Sequence, residues 1–188
     1  VGNTMDVGQF AAPQLFDVDA DGLLDLLVGE RNGNLNWFRN IGTATQHAWE
    51  LANDSLGGFD VAEWFNNTGY STPFMFQGED GGTELVLGSQ SGWIHHFSGF
   101  EGDIGGAWTA TDTMWQGIDE GGRTGLVLHD FTGDGHLDPV IGNYRGGLSF
   151  WRNDYAVGTR DNDGDGPDAI EFQPNPAHSH TTLRWRGN

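Results

Sequence analysis

Two short acidic loops carry the residues of this chain that are best suited to bind a metal ion. Asp17, Asp19, Asp21 and Asp25 occupy positions 1, 3, 5 and 9 of the first loop, with a glycine at position 6 and the Leu23 carbonyl at position 7. Oxygen atoms at this spacing, around a glycine that permits a sharp turn, are typical of a loop that folds around one Ca²⁺. Four carboxylates this close repel one another unless a hard divalent cation neutralises them. The first loop is therefore predicted to bind calcium.

The second loop repeats the pattern further along the chain. Asp130, Thr132, Asp134 and Asp138 occupy positions 1, 3, 5 and 9, and the His136 carbonyl is available at position 7. A threonine hydroxyl is a weaker calcium ligand than a carboxylate, so the second loop is predicted to bind Ca²⁺ less tightly.

Two other structures would use similar residues. An EF-hand needs a bidentate glutamate at position 12 and a helix on each side, but position 12 is Val28 in one loop and Ile141 in the other, each within an apolar run. The EF-hand is therefore excluded. The other alternative is a pair of metal-free Asx-turns; the repetition of the full spacing favours the metal.

Both loops lie at the same place in a unit that occurs three times. In each copy an apolar run ends at an anchoring glycine (Gly29, Gly88 or Gly142), and a glycine-containing turn then leads to an aromatic run. The runs are short, rich in β-forming residues and bounded by Gly, Asn and Asp, which indicates strands. A fourth run is present at 48–51 and 107–110 but not in the third copy.

The middle copy departs from the loop pattern. Its loop is one residue shorter and carries Gln77, Glu79 and Gly81, so no ion is assigned to it.

These units predict an all-β protein made of three four-stranded repeats with the geometry of propeller blades, whose apolar faces are buried by neighbouring blades. Three blades are fewer than the usual four to eight of a closed ring. We therefore expect residues 1–153 to be part of a larger propeller, in a chain that continues upstream of Val1.

The repeats resemble the FG-GAP/VCBS family, whose members form β-propellers with calcium loops of the form Asp-x-Asp-x-Asp-Gly. The resemblance covers residues 1–153 and rests on the loop that begins at Asp17, its second copy at Asp130 and the strand runs around them. It implies adhesion or display of a binding surface, with a glycan or protein ligand, usually outside the cell.

Composition narrows the functions further. The net charge is −19, with 27 acidic and 8 basic residues, and such a surface repels phosphate backbones, so nucleic acid is not expected as a partner. No apolar run is long enough for a membrane helix. The sequence has no nucleophile elbow, HExxH, P-loop or dinucleotide fingerprint, so we do not expect an enzyme.

The chain changes character after Asn153. Residues 154–169 form an acidic, glycine-rich linker, in which Asp161–Asp168 imitates the calcium loop with its last Asp one position early; a third ion there is left open. Residues 170–188, with Phe172 ahead of Pro174–Ala177, resemble the truncated start of the type A sorting domain of the type IX secretion system in Bacteroidota. This resemblance implies export to the outer-membrane surface or beyond.

The tryptophans fall into two groups. Trp37, Trp93 and Trp151 recur with Phe residues at one repeated position and are predicted to pack in the core. Those outside it, which are the better candidates for ligand contacts, are Trp49, Trp64, Trp108 and Trp115.

Together these features predict a non-enzymatic, calcium-binding module of a secreted or cell-surface protein. Two alternatives remain open. The chain could be the accessory domain of a polysaccharide-active enzyme whose catalytic residues lie elsewhere, or it could act mainly as cargo recognised by the type IX secretion machinery.

Overall fold

The computed structural model describes residues 5–63, 65 and 67–153, and in this part the chain is all-β. Three one-turn 3₁₀ helices, at Leu56–Gly58, Glu101–Asp103 and Trp115–Gly117, are the helical elements of these residues. No helix in the described part is long and apolar enough to cross a membrane. The strands are, in chain order, β1 (Ala12–Phe16), β2 (Asp25–Gly29), β3 (Leu35–Asn40), β4 (Trp49–Asn53), β5 (Thr72–Gln77), β6 (Thr83–Gly88), β7 (Ile94–Ser98), β8 (Gly125–His129), β9 (Asp138–Gly142) and β10 (Leu148–Phe150).

The strands form three antiparallel sheets, one for each repeat. Sheet 1 has the order β1-β2-β3-β4, sheet 2 the order β5-β6-β7 and sheet 3 the order β8-β9-β10, so each strand pairs with its neighbour in sequence. The turns after the second strand of each sheet place a glycine at the same position, namely Gly33, Gly92 and Gly146, with φ of 105°, 100° and 86°. A left-handed residue here is what a tight hairpin requires, which explains the repeated glycine.

The three sheets stack in chain order, and sheet 2 is buried on both faces. Leu85 and Leu87 of β6 belong to an apolar cluster shared with sheet 1, whereas Val86 belongs to a second cluster shared with sheet 3. Successive side chains of a strand point to opposite faces, so one uninterrupted apolar run fills both clusters.

At two of the anchoring glycines, Gly29 and Gly88, the next sheet comes too close to the backbone to leave room for a side chain. A Cβ at Gly29 would collide with the Ser71 carbonyl, and a Cβ at Gly88 would collide with the Thr124 carbonyl. The nearest atom to a Cβ at Gly142 would be 3.5 Å away, in Leu148 of the same sheet. Ser71 and Thr124 also bind across the contact, since their hydroxyls accept hydrogen bonds from the backbone amides that follow Gly29 and Gly88. The same contact is thus made between sheets 1 and 2 and between sheets 2 and 3.

The fourth strand predicted at 107–110 is wrong. In sheet 1 the fourth run forms β4 as expected, but the described part of sheet 2 has three strands, and isolated bridges join His96 to Asp112 and Trp93 to Asp119 at its edge. The amide of Trp108 donates to the Gly57 carbonyl (2.8 Å), and its ring stacks on Phe100 with centroids 4.0 Å apart. Burial of this indole towards sheet 1 draws the segment away from β7. Within the described residues sheet 3 also has three strands, so only the first of the three predicted four-stranded repeats has its fourth strand.

The outward faces of the end sheets carry apolar rows. On sheet 1 the cross-strand pairs join the row Leu15, Leu26, Phe38 and Leu51, of which Leu15 and Leu51 are each 51 % exposed. On sheet 3 the corresponding row is Val127, Val140 and Phe150. Each end of the stack therefore presents an apolar sheet face, whereas the apolar faces between the sheets are buried by the neighbouring sheet.

Candidate calcium loops

The first acidic loop joins β1 to β2 and brings three carboxylates together. One oxygen from each of Asp17, Asp19 and Asp21 lies within 4.8 Å of the other two. The loop is shaped by backbone amides: Asp17 accepts hydrogen bonds from the amides of Asp21 (3.0 Å) and Gly22 (2.9 Å). Gly22 has a φ of 88°, which allows the predicted turn at position 6. The amide of Leu23 donates to Asp21 (2.9 Å), which fixes the residue whose carbonyl was predicted as a ligand.

Asp19 is the member of this group whose position favours a cation. Its Oδ1 is buried and has no hydrogen-bond partner among the described residues, while its Oδ2 lies 2.6 Å from Nε of Arg39. Burial raises the pKa of Asp19, the nearby Asp25 raises it further, and Arg39 partly offsets both effects. A buried carboxylate oxygen with no donor is costly, and a bound cation would satisfy it.

Arg39, a residue of β3, is a positively charged residue that contacts the first loop. Besides its contact with Asp19, its Nη2 lies 3.2 Å from Asp21. Because Arg39 is about half exposed, these ion pairs are weak and screened by salt. The guanidinium can therefore yield to a divalent ion.

Asp25 has a different role from the other three aspartates. It is fully buried and lies outside the group of three. Its Oδ2 accepts hydrogen bonds from the Val18 amide (3.3 Å) and the Trp37 indole (2.9 Å), and its Oδ1 accepts one from the Asn40 amide (2.7 Å). These contacts tie the loop to the end of β3, so Asp25 holds the loop in shape.

The second loop, between β8 and β9, has the same backbone design. Asp130 accepts hydrogen bonds from the amides of Asp134 (3.2 Å) and Gly135 (2.9 Å), and the His136 amide donates to Asp134 (2.9 Å). Asp138 is fully buried and accepts from the amide of Phe131 (3.0 Å) and from the amide of Asn153 (2.9 Å). These bonds match those of the first loop position by position.

The second loop differs in its side chains. Thr132 stands where the first loop has Asp19, and within the described residues no group of three carboxylates forms there. The hydrogen bond from Gly135 is the main cause that lowers the pKa of Asp130, and the one from His136 is the main cause that lowers the pKa of Asp134. The second loop thus favours the ionised form of Asp130 and Asp134 but does not bring three carboxylates close together.

The middle loop, between β5 and β6, contacts the second acidic loop. Glu79 lies 2.5 Å from Nδ1 of His136, and this contact raises the pKa of the imidazole. His136 thus has a side-chain role that its assignment as a carbonyl ligand did not include.

The aromatic predictions are partly confirmed. Trp37, Phe38 and Phe97 are buried as expected, whereas Trp151 is 39 % exposed. Trp108 was predicted to be a ligand contact, and this is wrong because it is buried in the first apolar cluster. Trp49, Trp93 and Trp115 are half-buried, and Trp64 lies outside the described residues.

Sequence reasoning missed one set of equivalent residues at the opposite ends of the strands. Phe10, Tyr70 and Arg123 each stand two residues before the first strand of a sheet, and their φ angles are 60°, 48° and 56°. A left-handed conformation is uncommon for bulky residues. Their constant offset from the first strand is the signal that could have found them, but their side chains are not of one chemical type, since two are aromatic and one is cationic.

No family model matches the chain, and neither a curated protein nor a solved structure matches it.

Proposed function

We propose that this chain is a calcium-binding repeat module and that the loop Asp17–Asp25 is its principal ion site. The observation that carries the proposal is the gathering of Asp17, Asp19 and Asp21 within 4.8 Å, with the Oδ1 of Asp19 buried and unpaired among the described residues. Oxygen-only ligand sets of high negative charge select hard cations such as Ca²⁺. The equivalent loop Asp130–Asp138 is proposed as a weaker second site.

We further propose that the three sheets are consecutive blades of a β-propeller similar to the FG-GAP/VCBS repeats. The support is the repetition of one contact: the first strands lie side by side, β1 with β5 and β5 with β8, and the glycine contact at Gly29 recurs at Gly88. Further blades would pack on the two outward apolar rows. One of them would also pack at Gly142, where the described residues leave room for a side chain.

The module is proposed to act in adhesion or ligand display on a secreted or surface-exposed protein, without catalysis of its own. A second site weaker than the first is compatible with an extracellular module, because calcium is abundant there. Export through the type IX system is proposed from the sequence of residues 170–188, which lie outside the described part of the chain. A parent protein truncated before Phe172 should then accumulate in the periplasm, and its normal delivery to the surface would contradict the export proposal.

The calcium proposal is tested by thermal unfolding of the full chain with EDTA and with excess Ca²⁺. A ligand that binds only the native state at about 100 times its Kd stabilises it by about 2.7 kcal/mol per site. Asp21→Ala should abolish most of the calcium-induced rise in Tm, because it removes one of the three gathered carboxylates.

Asp80→Ala is the matched control, since it removes a loop carboxylate from the copy to which no ion is assigned, and that carboxylate accepts its hydrogen bond within its own loop, from the Gly82 amide. Its calcium-induced rise should equal that of the wild type, whatever its effect on the Tm in EDTA. Equal losses in the two variants, or a wild-type Tm that does not respond to Ca²⁺, would refute the assignment.

A further inference from the structure

Of the three left-handed residues Phe10, Tyr70 and Arg123, the last two are held in place by hydrogen bonds between sheets. The amide of Tyr70 donates to the Arg31 carbonyl of sheet 1 (3.1 Å), and the amide of Arg123 donates to the Gln90 carbonyl of sheet 2 (3.2 Å). The fold therefore imposes an otherwise disfavoured backbone at equivalent positions, a situation found often at binding sites.

This backbone brings the three side chains to one place. The rings of Phe10 and Tyr70 meet edge to face with centroids 4.8 Å apart. Cζ of Arg123 lies 3.9 Å from the Tyr70 centroid and 5.8 Å from that of Phe10. Tyr144, from the turn between β9 and β10, lies on the guanidinium as well, at 4.7 Å. We call Phe10, Tyr70, Arg123 and Tyr144 the arginine–aromatic cluster.

The cluster borders an open depression of about 530 Å³, which Ser71, Thr72 and Asn143 also line. This volume falls within the range of small-molecule sites. Phe10 is 60 % exposed and Tyr144 is 74 % exposed, so aromatic ring surface is available to a ligand at the rim.

Arg123 supplies uncommitted donors. Its Nε donates to the Gln90 side chain (3.1 Å), but its two Nη groups have no hydrogen bond or salt bridge within the described residues, although the chain has 27 acidic residues. A guanidinium with free Nη groups matches the two oxygens of a carboxylate. The hydroxyls of Tyr70 and Tyr144 likewise make no hydrogen bond within that part of the chain, and they can bind hydroxyl groups of a ligand.

We propose that the arginine–aromatic cluster binds an acidic sugar, with the carboxylate of a uronic acid on the Nη groups of Arg123. The sugar ring packs against the exposed rings of Phe10 and Tyr144, and its hydroxyls bond to the tyrosine hydroxyls. An acid without a hydroxylated ring would leave those groups unused.

The site is separate from the calcium loops. The loops follow the last residue of β1 and of β8, whereas the cluster precedes the first residue of these strands, and a five-residue strand spans about 17 Å. The inference names a ligand for the display role proposed above. Of the two proposals made there, it depends on the display role. It does not rest on calcium binding.

The test is isothermal titration of the full chain, at constant calcium, with trigalacturonate, free galacturonate, neutral galactotriose and N-acetylglycine. Trigalacturonate and galacturonate should bind, trigalacturonate about 10-fold or more tightly than galactotriose, because only the acids engage the guanidinium. Tighter binding of the trimer than of the monomer would identify a polysaccharide as the source, and equal binding a free sugar acid; either result supports the site.

Arg123→Ala should weaken trigalacturonate binding about 10-fold or more, and Tyr144→Ala should weaken it several-fold. Arg145→Ala is the matched control, because it removes the same charge from an exposed neighbouring residue, and it should bind as the wild type does. If Arg123→Ala does not fold, Arg123→Lys keeps the charge but loses the planar fork, and it should still bind more weakly.

Four results would overturn the inference: no binding of either uronate, equal binding of galactotriose, equal binding of N-acetylglycine, or the same loss in Arg145→Ala as in Arg123→Ala. Failure of the calcium test leaves these measurements intact, so the two proposals fail separately.

Discussion

The two acidic loops share a backbone and differ in the chemistry placed on it. In both, the carboxylate at position 1 accepts the amides of positions 5 and 6, and the buried carboxylate at position 9 accepts the amide of position 2. They differ at position 3 in charge, because the buried oxygen with no hydrogen-bond partner among the described residues is a carboxylate oxygen in Asp19 and a hydroxyl oxygen in Thr132.

The sequence motif combines two requirements, the shape of the loop and the charge offered to an ion, and the difference at position 3 separates them. Positions 1, 5 and 9 build the loop through hydrogen bonds to backbone amides, and they do so in both copies. Position 3 does not serve the loop in this way, so its identity sets how much negative charge is available to an ion. We therefore expect the loop shape to be kept in the second copy even though its affinity for calcium is predicted to be lower.

The largest effect is expected at position 9. Asp25→Asn should destabilise the protein by about 2–4 kcal/mol, because a buried acceptor of three hydrogen bonds becomes an amide whose NH₂ faces N–H donors. Asp138→Asn should cost less, about 1–3 kcal/mol, because Asp138 accepts two of the corresponding bonds. Chemical denaturation in EDTA measures both, and an equal or larger cost at Asp138 would break the comparison.

An exchange at position 3 should transfer affinity from one loop to the other. Thr132→Asp in an Asp21→Ala background should tighten the remaining calcium site by about 10-fold, because the number of charged ligands tunes affinity. Asp19→Thr in an Asp134→Ala background should weaken the first loop by a similar factor. Calorimetric titration with Ca²⁺ gives both values, and no change in either background would show that position 3 is not a ligand.

A smaller effect is expected from Arg39. Removing the guanidinium that lies 2.6 Å from Asp19 should tighten calcium binding at the first loop by about 2–5-fold, since an exposed ion pair of this kind competes only weakly with the ion. Arg39→Ala should also lower the Tm slightly in EDTA. Arg145→Ala provides the control for net charge, and weaker calcium binding in Arg39→Ala would contradict the idea that Arg39 competes with the ion.

Local patterns predicted much of the fold. The strands of sheet 1, the turn glycines and the positions of both acidic loops follow from short-range spacing, which is why the sequence indicates them. The segment 107–110 has the same appearance as the run at β4, but its structure depends on the distant Gly57 carbonyl and on the ring of Phe100. No local pattern contains that information.

The site shows the same limit. Spacing identified Asp17, Asp19, Asp21 and Asp25 as one set of oxygens, but it could not distinguish a carboxylate that is gathered with two others from one that accepts three internal hydrogen bonds. The arginine–aromatic cluster was missed for another reason: Phe10, Tyr70 and Arg123 are equivalent in backbone position but are not one residue type, so a search for repeated residue types passes over them.

The burial of β6 on both faces has a consequence for how the protein opens. Amide hydrogens exchange with solvent only when local structure unfolds, and β6 can open only by disrupting the apolar clusters on both its sides. Each end sheet packs against a neighbouring sheet on one face only, as expected for stacked repeats. Amides of Leu85, Val86 and Leu87 should therefore exchange more slowly in deuterium oxide than those of β2 or β9, and protection should decline from the middle sheet towards both ends.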